Sequence, residues 1–186
     1  MVYNIMTNLS IKILFIYLMP LCLFAQMAKF DEYEVKAAFL EKFTRFIEWP
    51  EEVHIEDMNK PFVIAVIGEN PFSSILDKMY SKQKIKNKEV EIRYISTVEE
   101  ITDCNILFIP GSEKGLINHI ISYTKKRPIL TISDEKNFSR KGILITLYVE
   151  SSHISFEINP IAVHKAGLYI SSLLLNLSKA ISKEDK

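Results

Sequence analysis

Which side chains in this sequence could do chemistry together? The histidines, His54, His119, His153 and His164, are the first candidates for a metal or for proton transfer, and they are scattered without the spacing of a ligand set. His153 and Glu157 share one face of a strand run, yet four residues at about 3.3 Å each separate them by roughly 13 Å, too far for one ion. No G-x-S-x-G nucleophile elbow occurs. The glycine-bearing stretches "GENPF" and "GSEKG" match neither phosphate-binding fingerprint, G-x-G-x-x-G or G-x-x-x-x-G-K-[ST]. Ser133-Asp134 reads as a helix cap or an Asx-turn at a strand end. The expectation is a protein that is not an enzyme, with no catalytic residue, no metal and no cofactor.

Two features stand above that background. In "RFIEWP" a helical stretch ends in the one tryptophan of the chain, Trp49. Trp49 is either a core aromatic at a helix end or, with Arg45 and Phe46, an anchor for a partner or ligand, since Trp and Arg are enriched in binding hot spots. An anchor predicts that Trp49→Ala weakens partner binding and leaves the fold intact; a core residue predicts that the fold suffers. The second feature is Glu157, which alternates with Ile154, Phe156 and Ile158 and is expected to face away from the buried side.

The elements that must position these residues follow from length, charge and periodicity. The chain has 186 residues, no net formal charge and 48% hydrophobic residues, enough for one domain with a proper core. That charge balance leaves no broad electrostatic reason to bind nucleic acid. Lys12 precedes an apolar run from Ile13 to Phe24, followed by Ala25. The run is shorter than the ~20 residues of a permanent span, so residues 1–25 read as a signal peptide cleaved after Ala25. The mature chain would not span a membrane. Cys22 departs with the leader, which leaves Cys104 as a lone thiol in "CNILFI", read as buried and inert.

From Asp31 to Glu48, apolar residues recur at helical spacing and Pro50 stops the pattern. "FVIAVIG", "EVEIRYI", "NILFIP" and "PILTIS" read as strands, three of them continuous enough to be buried on both faces. Helices open at Asn70-Pro71 and at Ser112. Alternating strands and helices predict an α/β, three-layer domain with a mostly parallel open sheet. "ILITLYVE", "SS" and "HISFEIN" add an antiparallel hairpin edge. Asn159 and Pro160 start a long C-terminal helix whose stripe is Val163, Ala166, Ile170, Leu173, Leu174, Leu177 and Ile181. A single domain covers 27–182. Ligands of such sheets sit beyond the carboxyl ends of the strands, here near Gly68, Gly111 and Ser133.

Taken in order, "VKAAFLEKFTRFIEWP", "FVIAVIGENPF", "CNILFIPGSE", "PILTISD", "FSRKG" and "FEINPIAVHKAGLYISSLLLNLSKAI" resemble the YfiR family of exported proteins. The matching positions are Trp49, Pro50, Gly68, Pro71, Phe72, Cys104, Ser133, Asp134, Arg140, Gly142, Glu157, Asn159, Gly167, Ser171 and Ser172. The resemblance implies a periplasmic α/β regulator that binds and represses the sensor portion of an inner-membrane diguanylate cyclase, influencing cyclic di-GMP and biofilm formation. It also implies a homodimer, and a second reading in which the domain senses a small molecule together with a histidine kinase or another membrane receptor. Relatives often carry paired cysteines; with Cys104 alone, intramolecular disulfide control is not expected. The interaction candidates are Arg45, Phe46, Trp49 and Glu157.

Overall fold

A computed structural model describes residues 32–151 and 153–180. The leader reading and the end of the C-terminal stripe at Ile181 lie outside them. The elements are α1 (32–44), β1 (Ile47–Glu48), β2 (Phe62–Ile67), α2 (Ile75–Tyr80), β3 (Val90–Ile95), β4 (Ile106–Ile109), α3 (Ile117–Thr124), β5 (Leu130–Ser133), α4 (Phe138–Lys141), β6 (Ile145–Glu150), β7 (His153–Ile158), α5 (Pro160–Lys165), β8 (Tyr169–Ile170), α6 (Ser172–Leu177) and β9 (Lys179–Ala180). Seven strands form one sheet in the order β3-β2-β4-β5-β6-β7-β9. The first five in that row are parallel, and β6 and β7 form the expected antiparallel hairpin, with Glu150 opposite His153.

Strand alternation splits the core in two. Phe62, Ile64 and Val66 of β2 face a cluster built with Leu40, Phe43, Leu76 and Val163, while Val63, Ala65 and Ile67 face Ile117, Ile120 and Phe138. Helices therefore cover both faces, and every residue of β2, β4 and β5 is buried. That is why those strands read as unbroken apolar runs. Around Phe72, the Tyr33 and Phe108 rings pack edge-on at 5.3 and 4.6 Å between centroids.

Four local expectations are corrected. The first helix ends at residue 44, not at Glu48, because Ile47–Glu48 turns into a strand that pairs with Tyr169–Ile170. The helix expected from Asn70 begins at Ile75. The Asn70 side chain instead closes an Asx-turn, accepting from the Phe72 N–H at 2.9 Å and donating to the Ser73 carbonyl at 2.8 Å. The hairpin is not the sheet's last member, since β9 adds in parallel beyond β7.

The fourth correction is the largest: among the described residues there is no long C-terminal helix. Asn159 does cap α5, accepting from the Ala162 N–H at 2.9 Å, but the helix stops after Lys165. Gly167 takes a left-handed φ of 76°, and the Gly167 and Leu168 N–H groups donate back to the His164 and Val163 carbonyls at 3.1 and 3.2 Å. This double closure is a Schellman stop, which needs a residue without a Cβ penalty at that point. Buried Val163 and Leu168 supply its apolar contact. The chain then runs extended through β8, and Ser171 starts α6 by accepting from the Leu174 N–H. Val163, Ala166, Ile170 and Leu174 of the stripe are buried as expected, whereas Leu173 and Leu177 are exposed.

Candidate functional site

The order of the five parallel strands changes direction between β2 and β4, and open α/β sheets place ligands outside the carboxyl ends at such a point. Here that crevice is filled by the protein itself. The place a Cβ would take on Gly68 is occupied by the Glu113 carboxylate. The Gly111 N–H donates to Asp134 Oδ1 at 2.7 Å, and the Tyr33 hydroxyl donates to Asp134 Oδ2 at 2.6 Å. Lys36 Nζ lies 3.7 Å from the same oxygen and also pairs with Glu32. Lys36 is 2% and Asp134 9% exposed, so the first turns of α1 are bound down over the strand ends by a buried ion pair. Burial and then the Asp134 carboxylate push the Tyr33 phenol well above its ordinary range. Ser133, also buried, accepts from the Glu135 N–H at 3.2 Å, the turn role read from its sequence position.

The four interaction candidates separate into two places. Trp49 is 7% exposed and meets Phe62 edge-on at 5.8 Å, with Lys86 Nζ 5.7 Å from its ring centre. Its indole N–H is buried without an acceptor among the described residues, and the ring borders a hollow lined by Glu51, His54, Glu56 and Asp57. Phe46 is half-buried against the same core, and its carbonyl accepts from the Ser171 N–H at 3.0 Å. Arg45 is exposed and pairs with Glu41 one turn back at 2.8 Å.

Glu157 belongs to the opposite side of the sheet. Its neighbour Phe156 packs on Phe39 and Phe43 of α1, so Glu157 points the other way, toward α4. There it is half-buried, accepting from the Ser139 hydroxyl at 3.1 Å and the Tyr148 hydroxyl at 3.3 Å. Asn159 Nδ2 donates to the Ser139 carbonyl at 2.7 Å, so the hairpin's acidic residue joins a polar group that ties β7 to α4. Sequence alternation placed it opposite Phe156 correctly; that this side is covered by Ser139 depended on a residue eighteen positions earlier in the chain.

An apolar surface that the sequence reading missed adjoins Ser171, whose N–H bonds the Phe46 carbonyl. Tyr169, opposite Glu48 in the small β1–β8 sheet, is largely exposed, as are Leu173 and Leu177. The two leucines are four residues apart on α6 and therefore share one face. As members of a single long amphipathic helix they would have been buried, and only the break at Gly167 turns them outward.

Cys104 is buried and a free thiol among the described residues. Burial pushes its thiol up to about 12, against a downward pull from the Arg93 guanidinium. Its labelling by iodoacetamide at pH 7.5, followed on the Cys104 peptide by mass spectrometry, is therefore expected to be slow until urea unfolds the protein. Because the folded form holds the neutral thiol, this group's contribution to stability is full below the unfolded thiol's value near ~8.5 and is lost as pH rises toward about 12. Rapid labelling of the native protein would show the thiol to be open and activated.

Among the described residues no group of three His, Cys, Asp or Glu side chains has the geometry of a metal site, and no helix is long and apolar enough to cross a membrane. A family model described as YfiR/HmsC-like matches residues 33–179. No curated protein matches the chain. A conserved domain protein from Vibrio cholerae O1 biovar eltor is similar in structure, with a TM-score of 0.50 at 10% identity over 72% of this chain. An ABC domain in complex with L-Trp from Streptococcus pneumonia is similar at a TM-score of 0.50 and 10% identity over 70% of this chain. The chain spans 60% and 59% of the lengths of those two proteins, and at that identity the likeness concerns the fold alone.

Proposed function

The chain belongs to the YfiR/HmsC-like family, and from that membership we propose a periplasmic regulator that binds the sensor region of an inner-membrane signalling protein, a diguanylate cyclase in the first instance, and holds it inactive. Family membership is the observation that carries this reading. Nothing in the site chemistry competes with it: the crevice where an α/β enzyme would work is closed by Lys36, Asp134, Tyr33 and Glu113.

The contact surface follows from the exposed apolar face. Tyr169, Leu173 and Leu177 expose three large apolar side chains, and Arg45 exposes a guanidinium one residue before Phe46, whose carbonyl holds Ser171 at the start of α6; an apolar patch with a nearby cation is the composition of an interface core with its charged rim. Phe46 packs against the core at the start of β1, and Trp49 is buried there on Phe62. Glu157 lies on the other side of the sheet and is assigned a separate role, at a second contact of the complex.

The test replaces Leu173 and Leu177 by glutamate in one variant. Both side chains are exposed, so stability is expected to stay within about 0.5 kcal/mol of the parent. In a host lacking the native protein, the parent is expected to lower cyclic di-GMP and to co-purify with the cyclase, and the variant to do neither. If cyclic di-GMP is indifferent to the presence of the parent, the cyclase is not its target. If the variant represses fully, the contact lies elsewhere.

A further inference from the structure

A second region of the molecule has the make-up of a binding site and lies at the opposite end of the sheet. A cavity of about 660 Å³ opens at the amino ends of β2, β4 and β5, walled by Val53, Val63, Ile101 and Ile129. That size suits a small metabolite. Seven charged side chains line it: Lys60, Lys88, Arg93 and Arg127 against Glu52, Glu91 and Asp103, an excess of one positive charge, 4 − 3.

The charges differ in how they are used. Arg93 and Glu91 consume each other in a forked pair, at 2.6 and 3.2 Å, and Arg93 also donates to the Thr102 carbonyl at 3.0 Å. Arg127 lies flat over the Tyr123 ring, its guanidinium 3.7 Å from the ring centre, held but not neutralised. Lys88 is the decisive group. It is 4% exposed, and its ammonium donates to one protein acceptor, the Ile55 carbonyl at 3.2 Å. Among the described residues no carboxylate lies within ion-pair distance of Lys60, Lys88 or Arg127, and the Asp57 carboxylate acts on Lys60 and Lys88 only from beyond that distance. A buried ammonium with three N–H donors and one neutral acceptor is costly to maintain. An anion entering the cavity would repair it with a charge-assisted bond.

We propose that this cavity binds a small organic carboxylate, whose head is held by Lys88 with Lys60 and Arg127 at the rim and whose apolar body lies against Val53, Val63, Ile101 and Ile129. The charge excess selects a monoanion, and the aliphatic walls select an apolar body over a bare inorganic ion. Cys104 also lines the cavity, but its neutral thiol takes no covalent part. The site is separate from the α6 surface and does not depend on the identity of the membrane partner. It also moves the ligand from the carboxyl ends of the strands, where sequence reasoning placed it, to their amino ends.

Benzoate is the probe, titrated calorimetrically into the purified protein beside benzamide and inorganic phosphate. One benzoate per chain is expected to bind, with benzamide failing and phosphate weaker than benzoate. Arg127→Gln, an exposed change that spares the fold, and Lys88→Met are each expected to weaken benzoate about tenfold, the effect of losing one hydrogen bond to a charged group. Lys88→Met also frees the Ile55 carbonyl, so its folding is checked by circular dichroism, and Arg127→Gln carries the test if it is unstable. Absence of benzoate binding, equal binding of benzamide, a preference for phosphate, or affinity unchanged in Arg127→Gln would each overturn the assignment.

Discussion

Replacing Lys36 by methionine is expected to destabilise the protein by about 3–5 kcal/mol, the cost of breaking a buried ion pair from one side. The methionine fills the same space, so the loss is electrostatic. Asp134, 9% exposed, would keep its bonds from Gly111 and Tyr33 but lose the cation paired with it among the described residues. Glu32 is less affected because it reaches solvent. The companion variant Lys36→Met with Asp134→Asn is expected to recover at least half of the loss. The asparagine oxygen still accepts from the Gly111 N–H, and its amide can donate to the Tyr33 hydroxyl once that group turns. Urea denaturation monitored by circular dichroism measures both. A cost under about 1 kcal/mol for the single change would place the pair with ordinary surface ion pairs and remove it as the fastener of α1 over the strand ends.

Trp49→Ala is expected to cost about 3–5 kcal/mol, because a buried aromatic leaves a cavity that the surrounding sheet cannot collapse. Its ring is packed on Phe62, itself fully buried in the same core. Trp49→Phe is expected to cost less than half as much. It keeps an edge-to-face partner for Phe62 and removes the indole N–H that is buried without an acceptor, a group whose burial costs about 1–3 kcal/mol. As the chain has one tryptophan, these variants have no intrinsic tryptophan signal, and unfolding is followed by circular dichroism. The pair also separates the two roles weighed for this residue. A folded Trp49→Phe protein that still binds its partner makes Trp49 a core residue beneath the interface. A folded Trp49→Phe protein that has lost its partner makes the indole itself the anchor.

The parallel strands were legible because burial on both faces leaves continuous β-branched runs, as in "FVIAVI" and "ILFI", that have few other readings. The hairpin was legible from its two-residue polar turn, and Asn159 from the Asn-Pro pair that opens α5. The C-terminal stripe was misread for a definite reason. Val163, Ala166, Ile170 and Leu174 satisfy helical periodicity, yet Ile170 is buried from a strand and Leu174 from a new helix. Periodicity counts positions and does not register that one glycine between them has reversed the chain. Gly167 was the available signal, since an isolated glycine within a helical pattern is also the signature of a helix stop.

The α/β class, the identity of the buried strands and the family to which the chain belongs all rest on local composition and on order along the chain, and were legible there. Which charged residues meet was settled by how the strands and helices pack. Lys36 and Asp134 stand 98 positions apart (134 − 36) and pair over the strand ends, while Lys60, Lys88 and Arg127 come from three different loops to one cavity. Such meetings depend on strand order, and strand order is set by long-range packing that no single window of sequence contains. The same packing turned Glu157 toward Ser139, buried Trp49 and exposed Leu173 and Leu177.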